Sequence, residues 1–199
     1  MEKIAFNDLN AQYRHLKKEI DKGIADVISG CHFISGEQTV QLEKELCDYT
    51  GRKYCVSTSN GTDSLLMPLM AKGIGTGDAV FVPAFTFFAT AEVVSLLGAT
   101  PVFCDVEEDT FNMNPKSLLK QIEKVKNEGK LIPKAAIAVD LFGQPADFIE
   151  IEKICKENGL MLMEDAAQGF GGKIGSRMAC SFGDVSATSF FPAKALGCY

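Results

Sequence analysis

Apolar side chains recur at steps of three and four over residues 10–29, where Tyr13, Leu16, Ile20, Ile24 and Val27 fall on one helical face. A second helix is predicted over residues 38–49, after the turn signal Ser35-Gly36. The period then shortens. Residues 53–57 read as a short apolar strand, followed by Asn60-Gly61-Thr62 and an apolar helix through Leu65, Leu66, Leu69 and Met70. Strand and helix patterns then alternate. Strands are predicted at 79–82, 100–104, 135–139 and 160–163, helices at 90–97, 115 to about 126 and 147–157. A last pair of strands falls at 172–174 and 185–189. This alternation calls for βαβ units and an α/β fold, a mostly parallel sheet with helices on both faces. Ligands of such sheets sit beyond the carboxyl ends of the strands, so the residues there are the ones to weigh.

Composition narrows the function classes. The chain has 199 residues, 46% hydrophobic and 23% charged, which excludes disorder, collagen and coiled coil. At about 150 residues per domain it makes one domain or one and a fraction. The net charge of −6 and the lack of a basic stripe give nucleic-acid binding little support. Lysines 126 and 130 sit in a solvated helix end and loop rather than a patch. The apolar runs fall far short of the ~20 residues of a membrane helix. The seven cysteines are odd in number and hold no Cys-x-x-Cys pair, and no leader segment is evident. Free thiols in a reducing cytoplasm are expected. His15 and His32 lie far from any cysteine pair, so no metal site is expected.

Four strand ends carry candidate chemistry. Ser59-Asn60-Gly61-Thr62-Asp63 lets backbone approach an anion at Gly61, and Thr62 opens a helix whose free N–H groups and dipole favour a phosphate. A plain N-cap is the competing reading, and the better one for this motif alone. Pro83-Ala84-Phe85-Thr86-Phe87-Phe88 puts three aromatics where a flat ring could stack, although at least one of them is expected to pack inward. Glu164-Asp165-Ala166-Ala167-Gln168 ends an apolar run with two carboxylates that point to opposite faces of a strand and so do different jobs. The competing reading is an acid-rich helix start. Ser189-Phe190-Phe191-Pro192-Ala193-Lys194 sets a lysine among apolar neighbours, where partial desolvation suits Schiff-base chemistry; an isolated lysine is more often a solvated charge. The glycines at 73–77 and 169–175 lack the strand-before, helix-after setting of a dinucleotide fingerprint and read as turns.

Together these segments resemble the DegT/DnrJ/EryC1/StrS family of pyridoxal 5'-phosphate (PLP)-dependent aminotransferases. The likeness runs over essentially the whole chain, from Phe6-Asn7-Asp8-Leu9 and Phe33-Ile34-Ser35-Gly36 to the diagnostic run 189–199 that ends in Tyr199. It implies the large domain of the aspartate aminotransferase-like fold (fold type I). It implies that Lys194 forms the Schiff base with PLP and shuttles a proton, and that Asp165 pairs with the pyridine nitrogen. Gln168 would lie near the phenolic oxygen and Phe87 would stack on the ring. Gly61, Thr62 and Ser189 would hold the phosphate. The implied reaction moves an amino group from L-glutamate to a nucleotide-linked keto-sugar, with ping-pong kinetics. The closest branch aminates carbon 3 of UDP-linked 2-acetamido-3-keto-hexuronic acids, for surface polysaccharide or amino-sugar biosynthesis. A dehydratase branch replaces the lysine with histidine, and Lys194 argues against it.

The resemblance also implies a cytoplasmic homodimer. Family members continue beyond Tyr199 into another sheet strand and a smaller C-terminal domain. On that basis residues 1–36 form an N-terminal helical segment and 37–199 a PLP-binding large domain, incomplete at its C-terminus. The alternatives are a catalytically incompetent PLP-binding fragment that needs further chain or a partner, and a nucleotide-binding α/β domain that uses no PLP.

Overall fold

The computed structural model describes residue 4 and residues 7–198. Phe6 and Tyr199, both within the motifs above, lie outside the described residues. Six helices are described, α1 Leu9–Gly30, α2 Glu37–Thr50, α3 Gly61–Ala71, α4 Ala89–Leu96, α5 Pro115–Glu128 and α6 Phe148–Asn158. Seven strands accompany them, β1 Asp78–Pro83, β2 Thr100–Cys104, β3 Ile132–Val139, β4 Met161–Asp165, β5 Lys173–Ile174, β6 Arg177–Met178 and β7 Val185–Ala187.

Five strands form one sheet in the order β2-β1-β3-β4-β7, and every pair is parallel. The central strands read as continuous apolar runs because both faces are covered. Their side chains alternate between the two sides. Val80, Val82, Ile137 and Met163 pack with Leu65 and Leu69 of α3 and Val93 and Val94 of α4. Phe81, Ala136, Ala138 and Leu162 pack with Leu118 and Ile122 of α5 and Ile151 and Ile154 of α6. Phe81, Leu118, Ile122 and Ile151 are fully buried, each contributing about 1.5–3 kcal/mol of transfer free energy.

Helix boundaries follow local chemistry. The Asn114 side chain accepts from the Ser117 N–H (3.0 Å) and Pro115 takes the first helical position of α5. The Asp147 side chain accepts from the Glu150 N–H (3.3 Å) to open α6. Helices α1 and α2 carry amphipathic patterns but hold no buried residue.

The structure departs from the sequence reading in places. Residues 53–57 form no strand: Tyr54 and Val56 are exposed, and the Ser57 N–H goes to a Glu43 carboxylate oxygen (2.7 Å) instead of a ladder. Their short apolar run meets no neighbouring strand among the described residues. β4 runs through Asp165, so both carboxylates lie within the strand, and a turn rather than a helix follows. β5 pairs with β6 in a two-residue antiparallel hairpin. α3 continues through Pro68, which lacks the N–H an interior helical position needs. No helix among the described residues is long and apolar enough to cross a membrane.

Candidate functional site

The first turn of α3 presents free donors. Asn60 is the N-cap, its side chain accepting from the Asp63 N–H at 2.8 Å, while Ser59 also hydrogen-bonds the Asp63 carboxylate. The next two N–H groups, of Gly61 and Thr62, have no acceptor among the described residues. Such a helix start attracts an anion. Gly61 lies against the segment after β7: a Cβ there would meet Ser189 Cβ at 3.0 Å and Oγ at 3.3 Å. The missing side chain is what lets the Ser189 hydroxyl reach the helix start.

The carboxyl end of β4 holds the second part. Asp165 is 5% exposed. Its carboxylate accepts from the Thr90 hydroxyl (3.1 Å) and the Ala167 N–H (3.2 Å). Thr90 is itself hydroxyl-bonded to Thr86 at 3.0 Å. Burial raises the Asp165 pKa; the two donors and the charge of Lys194 oppose that rise. The charge of Lys194 reaches Asp165 as the smallest of these influences. Lys194 is half-buried and makes no ion pair of its own among the described residues. Its segment is folded back on itself, with the Lys194 N–H bonded to the Phe191 carbonyl (2.8 Å) and the Cys198 N–H to the Phe190 carbonyl (3.0 Å).

The strand ends are laced together. The Ala166 N–H donates to the Ala187 carbonyl (2.8 Å) and the Thr188 hydroxyl to the Ala166 carbonyl (3.1 Å). These bonds join the Asp165 turn to the segment that carries Ser189 and Lys194. The two acids part to opposite faces, as strand alternation requires. Glu164 points to the opposite face, where its two oxygens accept from the N–H groups of Cys180 (2.8 Å) and Phe182 (2.9 Å).

The aromatic expectation is corrected. Phe85, Phe87 and Phe88 are 52%, 73% and 71% exposed, so none packs into the core. Phe85 joins Phe111 and Phe142 in a surface cluster, with ring centroids 5.6 and 6.4 Å away. Phe87 stays open just before α4, where its carbonyl accepts from the Thr90 N–H at 3.2 Å. Gln168 is exposed on the turn that follows Asp165. Among the described residues the Gln168 side chain forms no hydrogen bond and the Phe87 ring no ring contact with the other candidates. Among the described residues no group of acids, cysteines and histidines is arranged for a metal ion.

Sequence reasoning missed two contributors. Thr90 is fully buried against Asp165, and Arg52 donates to the carbonyls of Cys180 (3.1 Å), Phe182 (2.5 Å) and Gly183 (3.0 Å). The i, i+4 pair Thr86 and Thr90 at a strand-to-helix junction was the signal available for the first. Arg52 gave none, because its partners lie far along the chain.

The family model of the DegT/DnrJ/EryC1/StrS aminotransferases matches residues 14–199. Over 198 residues the chain is 44% identical to UDP-2-acetamido-2-deoxy-3-oxo-D-glucuronate aminotransferase of Pseudomonas aeruginosa, covering 98% of this chain and 53% of that protein. A DegT DnrJ EryC1 StrS aminotransferase from Brucella abortus superposes with a TM-score of 0.98 at 48% identity, covering 99% of this chain and 53% of the other. NtdA from Bacillus subtilis, solved with bound cofactor PMP, superposes with a TM-score of 0.86 at 28% identity, covering 100% of this chain and 43% of the other. The chain spans about half the length of the curated relatives it matches.

Proposed function

Because the chain belongs to the DegT/DnrJ/EryC1/StrS aminotransferase family, we propose that it supplies the cofactor-binding residues of a PLP-dependent sugar aminotransferase. The reaction is transfer of an amino group from L-glutamate to a nucleotide-linked keto-sugar. The relative from Pseudomonas aeruginosa points to a UDP-linked 2-acetamido-3-keto-hexuronic acid as that sugar. The observation that carries the reading is the meeting of three features at one sheet edge. These are the unpaired N–H groups of Gly61 and Thr62 beside Ser189, the buried Asp165 carboxylate, and the Lys194 amine whose charge reaches it.

These residues fit PLP. The N–H groups of Gly61 and Thr62 and the Ser189 hydroxyl would hold the phosphate, and a Cβ at Gly61 would crowd that cradle. Asp165 would take the ring nitrogen and keep it protonated, with Thr90 fixing the carboxylate's orientation. Phe87 would cover a ring face and Gln168 would lie near the phenolic oxygen. When bound, PLP supplies an electron sink and a carrier for the amino group. Lys194 would supply the amine that anchors the cofactor and would carry the proton at the substrate carbon. The proposal includes a cytoplasmic homodimer, in keeping with seven unpaired cysteines.

Borohydride reduction of PLP-treated protein followed by peptide mapping tests this. The reduced cofactor is expected on Lys194, with none in Lys194→Ala; label on another lysine, or on none, overturns it. The half-length match to the relatives keeps a second reading in play, a PLP-binding unit without turnover. L-Glutamate converts the bound cofactor to its amine form if the residues present suffice, and leaves the spectrum unchanged if they do not.

A further inference from the structure

Behind the site, on the opposite face of the sheet from the Asp165 side chain, lies a second acid that the proposed chemistry does not use. Asp140 follows β3 and is fully buried, as is Glu164 on β4. In the β3–β4 ladder Ala138 pairs with Glu164 and Val139 with Asp165, so Asp140 continues on the face that carries Glu164. On that shared face each carboxyl group bears on the titration of the other. One Asp140 oxygen accepts from the Ala146 N–H at 3.1 Å; the other, Oδ2, finds no donor. Two ionised carboxylates cannot share such a place at reasonable cost, whereas one proton between them satisfies both.

Asp140 is also built into the turn beyond Asp165. Its N–H donates to the Asp165 carbonyl (3.0 Å), and a Cβ on Gly169 would meet Asp140 Oδ2 at 2.3 Å. The Asp140 carboxyl therefore packs directly against the turn 165–169, which carries Gln168. We propose that Asp140 is a positioning residue that stays neutral, keeping its proton and donating a hydrogen bond through it to Glu164. In that state it fixes the 165–169 turn and leaves Asp165 as the carboxylate free to ionise. The last part rests on reading Asp165 as the partner of the ring nitrogen; the proton sharing does not.

The surroundings agree. Burial first, and the neighbouring charge of Glu164 second, push the Asp140 pKa up to about 9. Glu164 is also raised by burial, but two backbone N–H donors, the hydrogen bond from Asp140 and the charge of Arg52 oppose its rise. The other titratable groups that face the pair are Asp165 and the Cys180 thiol. The Cys180 thiol is itself pushed up to about 12, chiefly by burial.

The sign of the linkage follows. Asp140 binds its proton more tightly folded than unfolded, so its stabilising influence is complete below the ordinary value of 3.8 and is lost as pH rises to about 9. Removing this group by Asp140→Asn, which keeps a donor for Glu164, is expected to flatten that loss. Between pH 5 and pH 9 the unfolding constant of the parent should rise relative to the variant by up to about tenfold per pH unit. A ratio that does not change with pH overturns the proposal. If Asp140→Asn does not fold, infrared spectroscopy of the intact parent at pH 7 decides: a buried protonated carboxyl stretch is expected, and its absence overturns the proposal. Asp140→Asn should keep PLP affinity within about twofold, whereas Asp140→Ala should lose it. Equal loss in both variants means that neutral hydrogen bonding at this position is not what holds the turn. The stability and infrared arms use no cofactor, so their failure is distinguishable from failure of the aminotransferase reading.

Discussion

At the scale of single residues, a hydroxyl that lies outside every sequence motif orients the buried carboxylate of Asp165. Thr90 is the second residue of α4, fully buried, and its hydroxyl donates a hydrogen bond to Asp165. Thr90→Val keeps the shape and removes the donor. A hydrogen bond to a charged group is worth about 1.5–3 kcal/mol, so PLP affinity is expected to weaken roughly tenfold or more. Spectrophotometric titration with PLP checks this, and an unchanged Kd would remove Thr90 from the site. The sequence shows Asp165, Lys194 and Gly61 because each breaks its local context: an acid ending an apolar strand, a lysine among aromatics, a glycine opening a helix. Thr90 breaks nothing. A threonine near a helix start is common, and only the fold reveals that it faces Asp165.

At the scale of elements, the alternating pattern made β1 through β4 and the helices between them legible to within a few residues, since both periods are set by burial on this sheet. It failed at residues 53–57, where a short apolar run was present but no strand among the described residues lay alongside to pair with. It also failed for β6, because two residues carry no period. What anchors this part of the chain is Arg52, whose guanidinium bridges three carbonyls of the segment leading into β7, while Glu164 takes two N–H groups of the same segment. Arg52→Ala is expected to destabilise the protein by on the order of 2–4 kcal/mol, because it strands several carbonyls at once. Arg52→Lys should recover little, since a point charge cannot reproduce the planar fork. Urea unfolding measures both, and full recovery by lysine would show that charge alone suffices.

At the scale of the whole molecule, the thiols report on the integrity of the packing. Cys31 and Cys198 are exposed, whereas burial pushes Cys104, Cys155 and Cys180 up to about 12. With a chromogenic disulfide reagent at neutral pH, Cys31 and Cys198 should react at once and the three buried thiols only on unfolding. Prompt modification of Cys104 or Cys155 would mean that the two helical layers open far more readily than their burial implies. The strand order carries one more consequence, for biogenesis. Among the described residues β7 is the last strand of the sheet in sequence, and it precedes both Ser189 and Lys194. A nascent chain leaving the ribosome amino end first has already exposed β1 through β4 and their helices by the time this amine emerges. Whatever condenses with this amine therefore meets strands that left the ribosome before it.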